Sequence, residues 1–239
     1  MFDVSIIIPC RDEEENAKII TENIQKNCKY KNFQLVFIND FSTDKTEQVL
    51  VNLKEKFKNI EYYNNLEKGL GGAIKLGLKK SSGEFITIMM ADSADSVDDL
   101  NTYIDLMKNT NFDAIFGSRF IKGSEVVDYP KLKLVFNRLG NYLTKFFFLS
   151  NYNDFTNSFK IYRRDIFNHI NPIVSEDFNV FLELPLKTIT RGFTYQIVPI
   201  KYFNRTVGTA KFKIKELGSR YLFTMLYCFL EKILLKKKK

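Results

Sequence analysis

The chain has 239 residues, of which 45% are hydrophobic, so it is long enough to bury the core of one large globular domain. Its net charge of +8 comes from the end of the sequence, because residues 201–239 hold 11 Lys and Arg against 2 Asp and Glu. A nucleic-acid-binding face is usually spread over the fold and interleaved with exposed aromatics, so this charge pattern argues against nucleic acid as a partner. Three cysteines without a C-x-x-C pair, and Asp3 in what would be the apolar start of a signal peptide, predict a cytoplasmic protein.

The first half of the sequence alternates short apolar runs with helical patterns. "VSIII" and "LVFI" predict buried strands, and Ser42 is positioned to cap the helix after the second of them. The signals that follow are "IEYY", a short helix over Leu70–Lys80, "FITIMM", a helix through Leu100 and Ile104, and "AIF". Strands separated by helices predict an α/β fold with a mostly parallel sheet flanked by helices. Beyond Gly123 the isolated strand signals "SFKIY" and "YQIVPIKYF" are assigned to the same domain.

Polar residues follow three of the predicted strands. They are Arg11, Asp12 and Glu13 after the first strand, Asn39 and Asp40 after the second, and Asp92 and Asp95 after "FITIMM". Each group alone has a local explanation, such as acids at a helix N-terminus or an Asx-turn. The carboxyl ends of parallel strands meet at one sheet edge, where repelling carboxylates favour a bound divalent cation or a ligand rich in donors.

Six segments, in this order, resemble the family-2 glycosyltransferases of the GT-A fold. They are "SIIIPCRDEEEN", "FINDFSTDKT", "KGLGGAIKLGL", "MMADSADS", "FGSRF" and "DFTNSFKIYRRDIF". The likeness is greatest to polyprenyl-phosphate sugar synthases, which are relatives of dolichol-phosphate mannose synthase. It implies a GT-A, Rossmann-like domain over residues 1–212. It also implies an inverting enzyme that moves a sugar from a nucleotide-sugar donor to a polyprenyl-phosphate acceptor.

The resemblance implies a donor pocket made by the first four segments. The matching residues are Pro9, Arg11, Glu13, Asp40, Lys68, Gly69 and Asp92. The family usually has "VDDGS" where this chain has "INDFS", so Asn39 and Phe41 replace an acid and a glycine. Lys68 and Gly69 precede a helix start, where free N–H groups and a lysine can face phosphate.

The resemblance also implies a metal site at the end of "FITIMM". There the family has an Asp-x-Asp motif that holds Mg²⁺ or Mn²⁺ against the donor diphosphate. In this chain Met90 stands in place of the first acid, Asp92 matches the second, and Asp95 is a candidate replacement ligand.

Cationic residues in the second half match the family's acceptor side. Arg119, Arg138, Arg205 and Lys211 are implied to bind the acceptor phosphate, and the implied catalytic residues are Asp92, Arg119, Asp154 and Glu183. A phosphate acceptor is already ionised and needs no general base, whereas a hydroxyl acceptor needs one, for which Asp154 or Glu183 would serve. Two alternatives therefore stay open, namely transfer to a hydroxyl of a cell-surface glycan and a non-catalytic nucleotide-sugar-binding protein.

Residues 213–239 combine a helical apolar pattern with four final lysines. No apolar run reaches the roughly 18 residues that a transmembrane helix needs. An amphipathic helix with a polybasic end is typical of proteins that lie on an anionic membrane, here the cytoplasmic face. A helix packed on the body of the protein, or against a partner in an oligomer, is the alternative.

Overall fold

The computed structural model describes residues 1–127, 129, 131–203 and 214–235. The strands are Val4–Cys10 (β1), Phe33–Asn39 (β2), Ile60–Asn64 (β3), Phe85–Ile88 (β4), Ala114–Ser118 (β5), Glu125–Val127 (β6), Lys160–Arg163 (β7), Tyr195–Pro199 (β8) and Lys201–Phe203 (β9). The helices are Glu14–Asn27 (α1), Thr46–Lys56 (α2), Leu70–Lys80 (α3), Val97–Asn109 (α4), Lys131–Phe148 (α5), Ile166–His169 (α6), Val180–Thr190 (α7) and Ile214–Leu234 (α8).

Seven of the strands form one sheet in the order β3-β2-β1-β4-β7-β5-β8. All neighbours are parallel except β7, which lies antiparallel between β4 and β5. The predicted mostly parallel sheet flanked by helices is therefore confirmed. A second, small sheet pairs β6 with β9 in parallel.

The sheet is buried on both faces, as its continuous apolar strands require. One face packs against α1, α2 and α4 through residues such as Ile20, Leu50 and Ile104, and the other against α3 and α7 through Ile74 and Leu184. Helices cover both faces, so the carboxyl ends of β1, β2 and β4 remain as the edge where loops can meet a ligand.

The last described helix, α8, packs on α7 and α5. Its body-facing side includes Thr224, Cys228 and Glu231, and Glu231 forms ion pairs with Arg191 (3.3 Å) and Lys187 (3.8 Å). Within the described ranges, no helix is both long and apolar enough to cross a bilayer. The division into a domain over residues 1–212 and a segment over 213–239 stays a prediction.

Candidate active site

The loops after β1 and β2 are joined by side-chain hydrogen bonds. The Asp12 N–H donates to Ser42 Oγ at 3.0 Å, and Asp12 Oδ1 accepts from the Thr43 N–H at 2.7 Å. The Glu13 N–H donates to Thr46 Oγ1 at 2.8 Å. The prediction that Ser42 caps α2 is wrong, because the residue before this helix is Lys45 and the Ser42 hydroxyl is used across the two loops. Of the predicted donor residues nearby, Pro9 is buried within β1, whereas Arg11 is exposed and Glu13 is half-buried in the loop after it.

Asp40 ties the end of β2 to the start of α3. Its buried Oδ1 accepts from Asn65 Nδ2 at 2.7 Å and from the Gly69 N–H at 2.9 Å. Gly69 has φ +120°, and a Cβ there would lie 2.6 Å from the Glu176 carbonyl oxygen, so glycine is required. The Gly69 N–H, which we expected to face phosphate, thus donates its hydrogen bond to Asp40. Lys68 beside it is exposed.

Asp92 and Asp95 lie in the loop after β4, as the sequence predicts. Burial of Asp95, and next the charge of Asp92, raise the pKa of Asp95 to about 7. Asp92 is half-buried, and its Oδ1 accepts from the Ala94 N–H at 3.2 Å. Among the described residues no three His, Cys, Asp or Glu side chains come together as a complete metal site. Two hard oxygen donors that disfavour each other's charge do fit a Mg²⁺ or Mn²⁺ ion that takes further ligands from a diphosphate.

Arg119 forms a buried ion pair with Asp154. Arg119 Nε donates to Asp154 Oδ2 at 2.8 Å, Nη2 donates to Oδ1 at 2.7 Å, and the Arg119 N–H adds a third bond at 2.9 Å. Burial alone would lower the pKa of Arg119, but the Asp154 carboxylate outweighs it and raises this pKa. Arg119 is therefore a fixed cation, and both oxygens of Asp154 are engaged in holding it.

Aromatic rings surround the Arg119 guanidinium. Its central carbon lies 5.3 Å from the ring centres of Phe120 and Tyr202, and 5.6 Å from that of Tyr129. Tyr202 on β9 also pairs through its backbone with Asp95, so it links the cation to the acidic loop. Sequence reasoning missed Tyr129 and Tyr202, because their approach depends on the pairing of β6 with β9.

Arg138 lies next to this aromatic group. Its guanidinium carbon is 4.3 Å from the ring centre of Phe120 and 4.5 Å from that of Tyr142. The structure therefore brings Arg138 close to Arg119, with Phe120 in contact with both. The other two predicted phosphate ligands, Arg205 and Lys211, lie outside the described residues.

Glu183 lies in an internal network on α7. Its fully buried carboxylate pairs with Lys187 Nζ at 2.8 Å and accepts from the N–H groups of Val174 (2.9 Å) and Ser175 (2.7 Å). The expectation that an ionised Glu183 is paired is confirmed. Both carboxylate oxygens are used to fix the backbone at 174–175, which favours a positioning role over the predicted catalytic one.

The backbone that Glu183 fixes packs directly on the start of α3. The Gly71 N–H donates to the Glu176 carbonyl at 2.9 Å, and a Cβ on Gly71 would lie 2.1 Å from the Ser175 carbonyl oxygen. Glu183 thus acts on the α3 start through residues 174–176. Since Asp40 binds Gly69 from the other side, the predicted donor residues are held from two directions.

Comparison with known sequences identifies a family match over most of the chain. The model described as "Glycosyl transferase family 2" matches residues 5–170. The chain is 32% identical over 127 residues to a dolichol-phosphate mannosyltransferase of Pyrococcus furiosus, which covers 53% of this chain but only 36% of that protein. It is 24% identical over 232 residues to a polyprenol monophosphomannose synthase of Mycolicibacterium smegmatis, which covers 90% of this chain and 86% of that protein.

Solved structures with the same fold include those of glucosyl-3-phosphoglycerate synthase from Mycobacterium tuberculosis. Its complex with Mn²⁺, UDP-glucose and phosphoglyceric acid aligns with a TM-score of 0.74 at 13% identity, covering 95% of this chain and 80% of that one. Its complex with Mg²⁺ and UDP aligns with a TM-score of 0.73. At this identity the likeness shows a shared fold, and the ligands are those of that enzyme.

Proposed function

The chain belongs to glycosyl transferase family 2, and from that premise we propose that it transfers a sugar from a nucleotide-sugar donor to a polyprenyl phosphate. The names of the two sequence relatives support this acceptor. The GT-A fold predicted from the sequence is confirmed by the sheet order and by the structural likeness.

The donor binds at the edge formed by the loops after β1, β2 and β4. Pro9, Arg11 and Glu13 line the nucleotide side, and Asp40 shapes the pocket together with Gly69. Lys68 is exposed at the start of α3, where it meets donor phosphate as a cation.

Asp92 and Asp95 would hold the Mg²⁺ or Mn²⁺ ion. The solved structures of the M. tuberculosis enzyme contain UDP together with one or the other of these metals. Such a cation supplies charge neutralisation for the nucleoside diphosphate leaving group. The protein's own contribution is to keep the two carboxylates close together, with Asp95 buried against the backbone of Tyr202.

The acceptor phosphate binds to Arg119 and Arg138, with Arg205 and Lys211 as further ligands predicted from the sequence. A phosphate oxygen attacks the anomeric carbon in line, the bond from this carbon to the diphosphate breaks, and the configuration inverts. Arg119 orients the acceptor and Asp154 keeps Arg119 in place.

The main observation in favour of a phosphate acceptor is the bonding of the Asp154 carboxylate. Both of its oxygens are engaged by Arg119, so the residue is poorly placed to remove a proton from a hydroxyl. A phosphate acceptor needs no such base, whereas transfer to a glycan hydroxyl does. Because the acceptor is a membrane lipid, the protein would work at the cytoplasmic face of the membrane; oligomer formation stays open.

Ligand-induced thermal stabilisation tests the donor half of the proposal. Ligands that bind only the folded state raise its melting temperature. Nucleoside diphosphates and nucleotide sugars should stabilise the protein with Mg²⁺ or Mn²⁺, and much less with EDTA. Stabilisation without any turnover, over a panel of sugars and polyprenyl phosphates, would support a non-catalytic binding protein instead.

A further inference from the structure

The helices α5 and α8 lie side by side on one surface of the protein. Phe229 of α8 contacts the rings of Phe147 and Phe148 of α5, with ring centres 6.2 and 6.0 Å apart. Lys232 Nζ of α8 also donates to the Phe148 carbonyl at 3.0 Å. The outer sides of α5 and α8 therefore form one continuous surface, here called the α5–α8 face.

The α5–α8 face is strongly apolar. Of the 19 large hydrophobic side chains that are exposed in the described part of the chain, 15 belong to it. They are Val135, Phe136, Leu139, Tyr142, Leu143, Phe146, Phe147 and Leu149 on or just after α5, and Leu222, Phe223, Leu226, Leu230, Ile233, Leu234 and Leu235 on or just after α8. Water-exposed apolar surface concentrated in this way marks an interaction site.

Polar residues fasten the inner sides of the same helices to the body. On α5, Asn141 is 1% exposed and its Oδ1 accepts from the Phe155 N–H at 2.6 Å. On α8, Thr224 is fully buried and accepts from Asn179 Nδ2 at 2.9 Å, and Glu231 pairs with Arg191. An ordinary surface helix buries its apolar stripe and exposes its polar one. On α5 these inward contacts place polar side chains against the body, whereas α8 also packs Met225 and Cys228 inward and so has apolar residues on both sides. The exposed apolar sides of the two helices suit a face that meets lipid.

The sequence of residues 131–153, and that of α8 after Glu216, contains more cations than acids. Residues 131–153 contain no acid and four cations, namely Lys131, Lys133, Arg138 and Lys145. In residues 218–239 the sole acid is Glu231, which is buried in its ion pairs, whereas Lys232 is basic and Arg220 faces the acids Glu176 and Asp177 at 3.8 and 3.7 Å. The sequence continues with four lysines, which lie outside the described residues. Two copies of such a face would repel each other through these cations, and anionic headgroups would attract them.

We propose that the α5–α8 face docks on an anionic lipid bilayer, with the phenylalanines and leucines of both helices inserted at the headgroup level. Amphipathic helices bind at this depth without spanning the membrane. The role of this docking in catalysis rests on the proposed function, in which the acceptor is a membrane lipid. Arg138 of α5 lies beside Arg119, so docking brings the acceptor arginines to the surface from which a lipid phosphate arrives.

Tryptophan substitutions test the docking directly, because the chain contains no tryptophan. Phe146→Trp reports on α5, Leu226→Trp on α8, and Ile19→Trp on α1 is the matched control, since Ile19 is also an exposed apolar residue. The probes are vesicles of phosphatidylcholine with or without phosphatidylglycerol, free of polyprenyl phosphate and donor. We expect the emission of both helix reporters to shift to the blue and to be quenched by brominated lipid on anionic vesicles, and that of the control to stay unchanged.

A second variant measures the contribution of α5. In a full-length chain, Phe136→Ser with Phe146→Ser should weaken partitioning onto anionic vesicles by roughly tenfold or more, since two large apolar groups no longer enter the interface. Ile19→Ser with Leu66→Ser should bind like the wild type. Unshifted helix reporters, or wild-type binding by the α5 variant, would overturn the proposal. A wild-type dimer that becomes monomeric in the α5 variant without lipid would overturn it too, and would assign the face to a second copy.

These vesicle measurements do not depend on turnover. A protein that docks but transfers no sugar would contradict the proposed function and leave the docking intact. A protein that glycosylates a detergent-dispersed lipid phosphate but does not bind vesicles would contradict the docking and support the proposed function.

Discussion

Replacement of Glu183 by alanine should destabilise the fold strongly, because the carboxylate serves three buried donors. It pairs with Lys187 Nζ at 2.8 Å and accepts from the N–H groups of Val174 and Ser175. Breaking a buried ion pair from one side costs about 3–5 kcal/mol, since the remaining charge stays buried. Each orphaned N–H adds about 1–3 kcal/mol, unless water reaches it.

The net loss should be smaller than the sum of these costs. Lys187 keeps Glu231 Oε1 at 3.8 Å and a bond to the Pro172 carbonyl, so its charge is not left alone. We expect a loss of about 4 kcal/mol, a large part of the roughly 5–15 kcal/mol by which a domain is stable. For a chain of this size the melting temperature would fall by about 8–16 °C.

Thermal and urea unfolding measure this loss, and Glu84→Ala is the matched control. Glu84 forms an exposed ion pair with Arg163 at 3.2 Å, so its removal should change stability by no more than about 1 kcal/mol. If Glu183→Ala unfolds like the control while its turnover collapses, the reasoning fails and the carboxylate is catalytic, as the sequence predicts.

The milder Glu183→Gln separates positioning from catalysis. It preserves the shape of the side chain and one acceptor oxygen, but loses the charge that pairs with Lys187. If Glu183 acts through residues 174–176 on the α3 start, the donor KM should rise and kcat should change little. A fall in kcat at unchanged donor affinity would contradict the positioning role.

Three further predictions concern the metal, the acceptor and a buried lysine. Asp92→Ala should abolish metal-dependent nucleotide-sugar turnover while the protein stays folded, and full wild-type activity in EDTA would remove the metal from the mechanism. Arg138→Ala should raise the KM for polyprenyl phosphate far more than that for the donor, and equal losses would place Arg138 in the donor pocket. Burial lowers the pKa of Lys160 from 10.5 to about 7. Above pH 7 the unfolded chain therefore holds a proton at this lysine that the folded protein has lost. The free energy of unfolding then rises with pH by up to about 1.4 kcal/mol per pH unit. In urea titrations at pH 7 to 9 this slope should be absent from Lys160→Met, and an equal slope in both proteins would contradict the lowered pKa of Lys160.

Local patterns predicted most of the secondary structure. Short β-branched runs gave the buried strands, and the predicted helix over Leu70–Lys80 is α3 as observed. The placement of β7 between β4 and β5 could not be predicted, because "SFKIY" signals a strand but its neighbours are set by long-range pairing. The same limit explains Ser42, whose local capping preference yields to the Asp12 N–H of another loop.

The positions of candidate site residues were predictable where a motif follows the end of a strand. Asp92, Asp95 and Arg119 follow strands and are recognised from their segments. The ion pair of Arg119 with Asp154 and the approach of Tyr129 and Tyr202 require tertiary contacts that no local pattern encodes. The orientation of α5 could not be predicted either. Phenylalanine is usually buried and asparagine usually exposed, but in α5 Phe136 and Phe146 are exposed and Asn141 is buried.

Sugar transfer into the lipid phase tests the proposed function most directly. The full-length protein is incubated with a panel of labelled nucleotide sugars, Mg²⁺ or Mn²⁺, and polyprenyl phosphate, with the unphosphorylated polyprenol and phosphoglyceric acid as alternative acceptors. We predict that label from one donor enters the organic phase only with polyprenyl phosphate and a divalent cation, and that the product has the inverted anomeric configuration. Transfer to polyprenol, or label found only in a water-soluble phosphoglyceric acid product, would contradict the account.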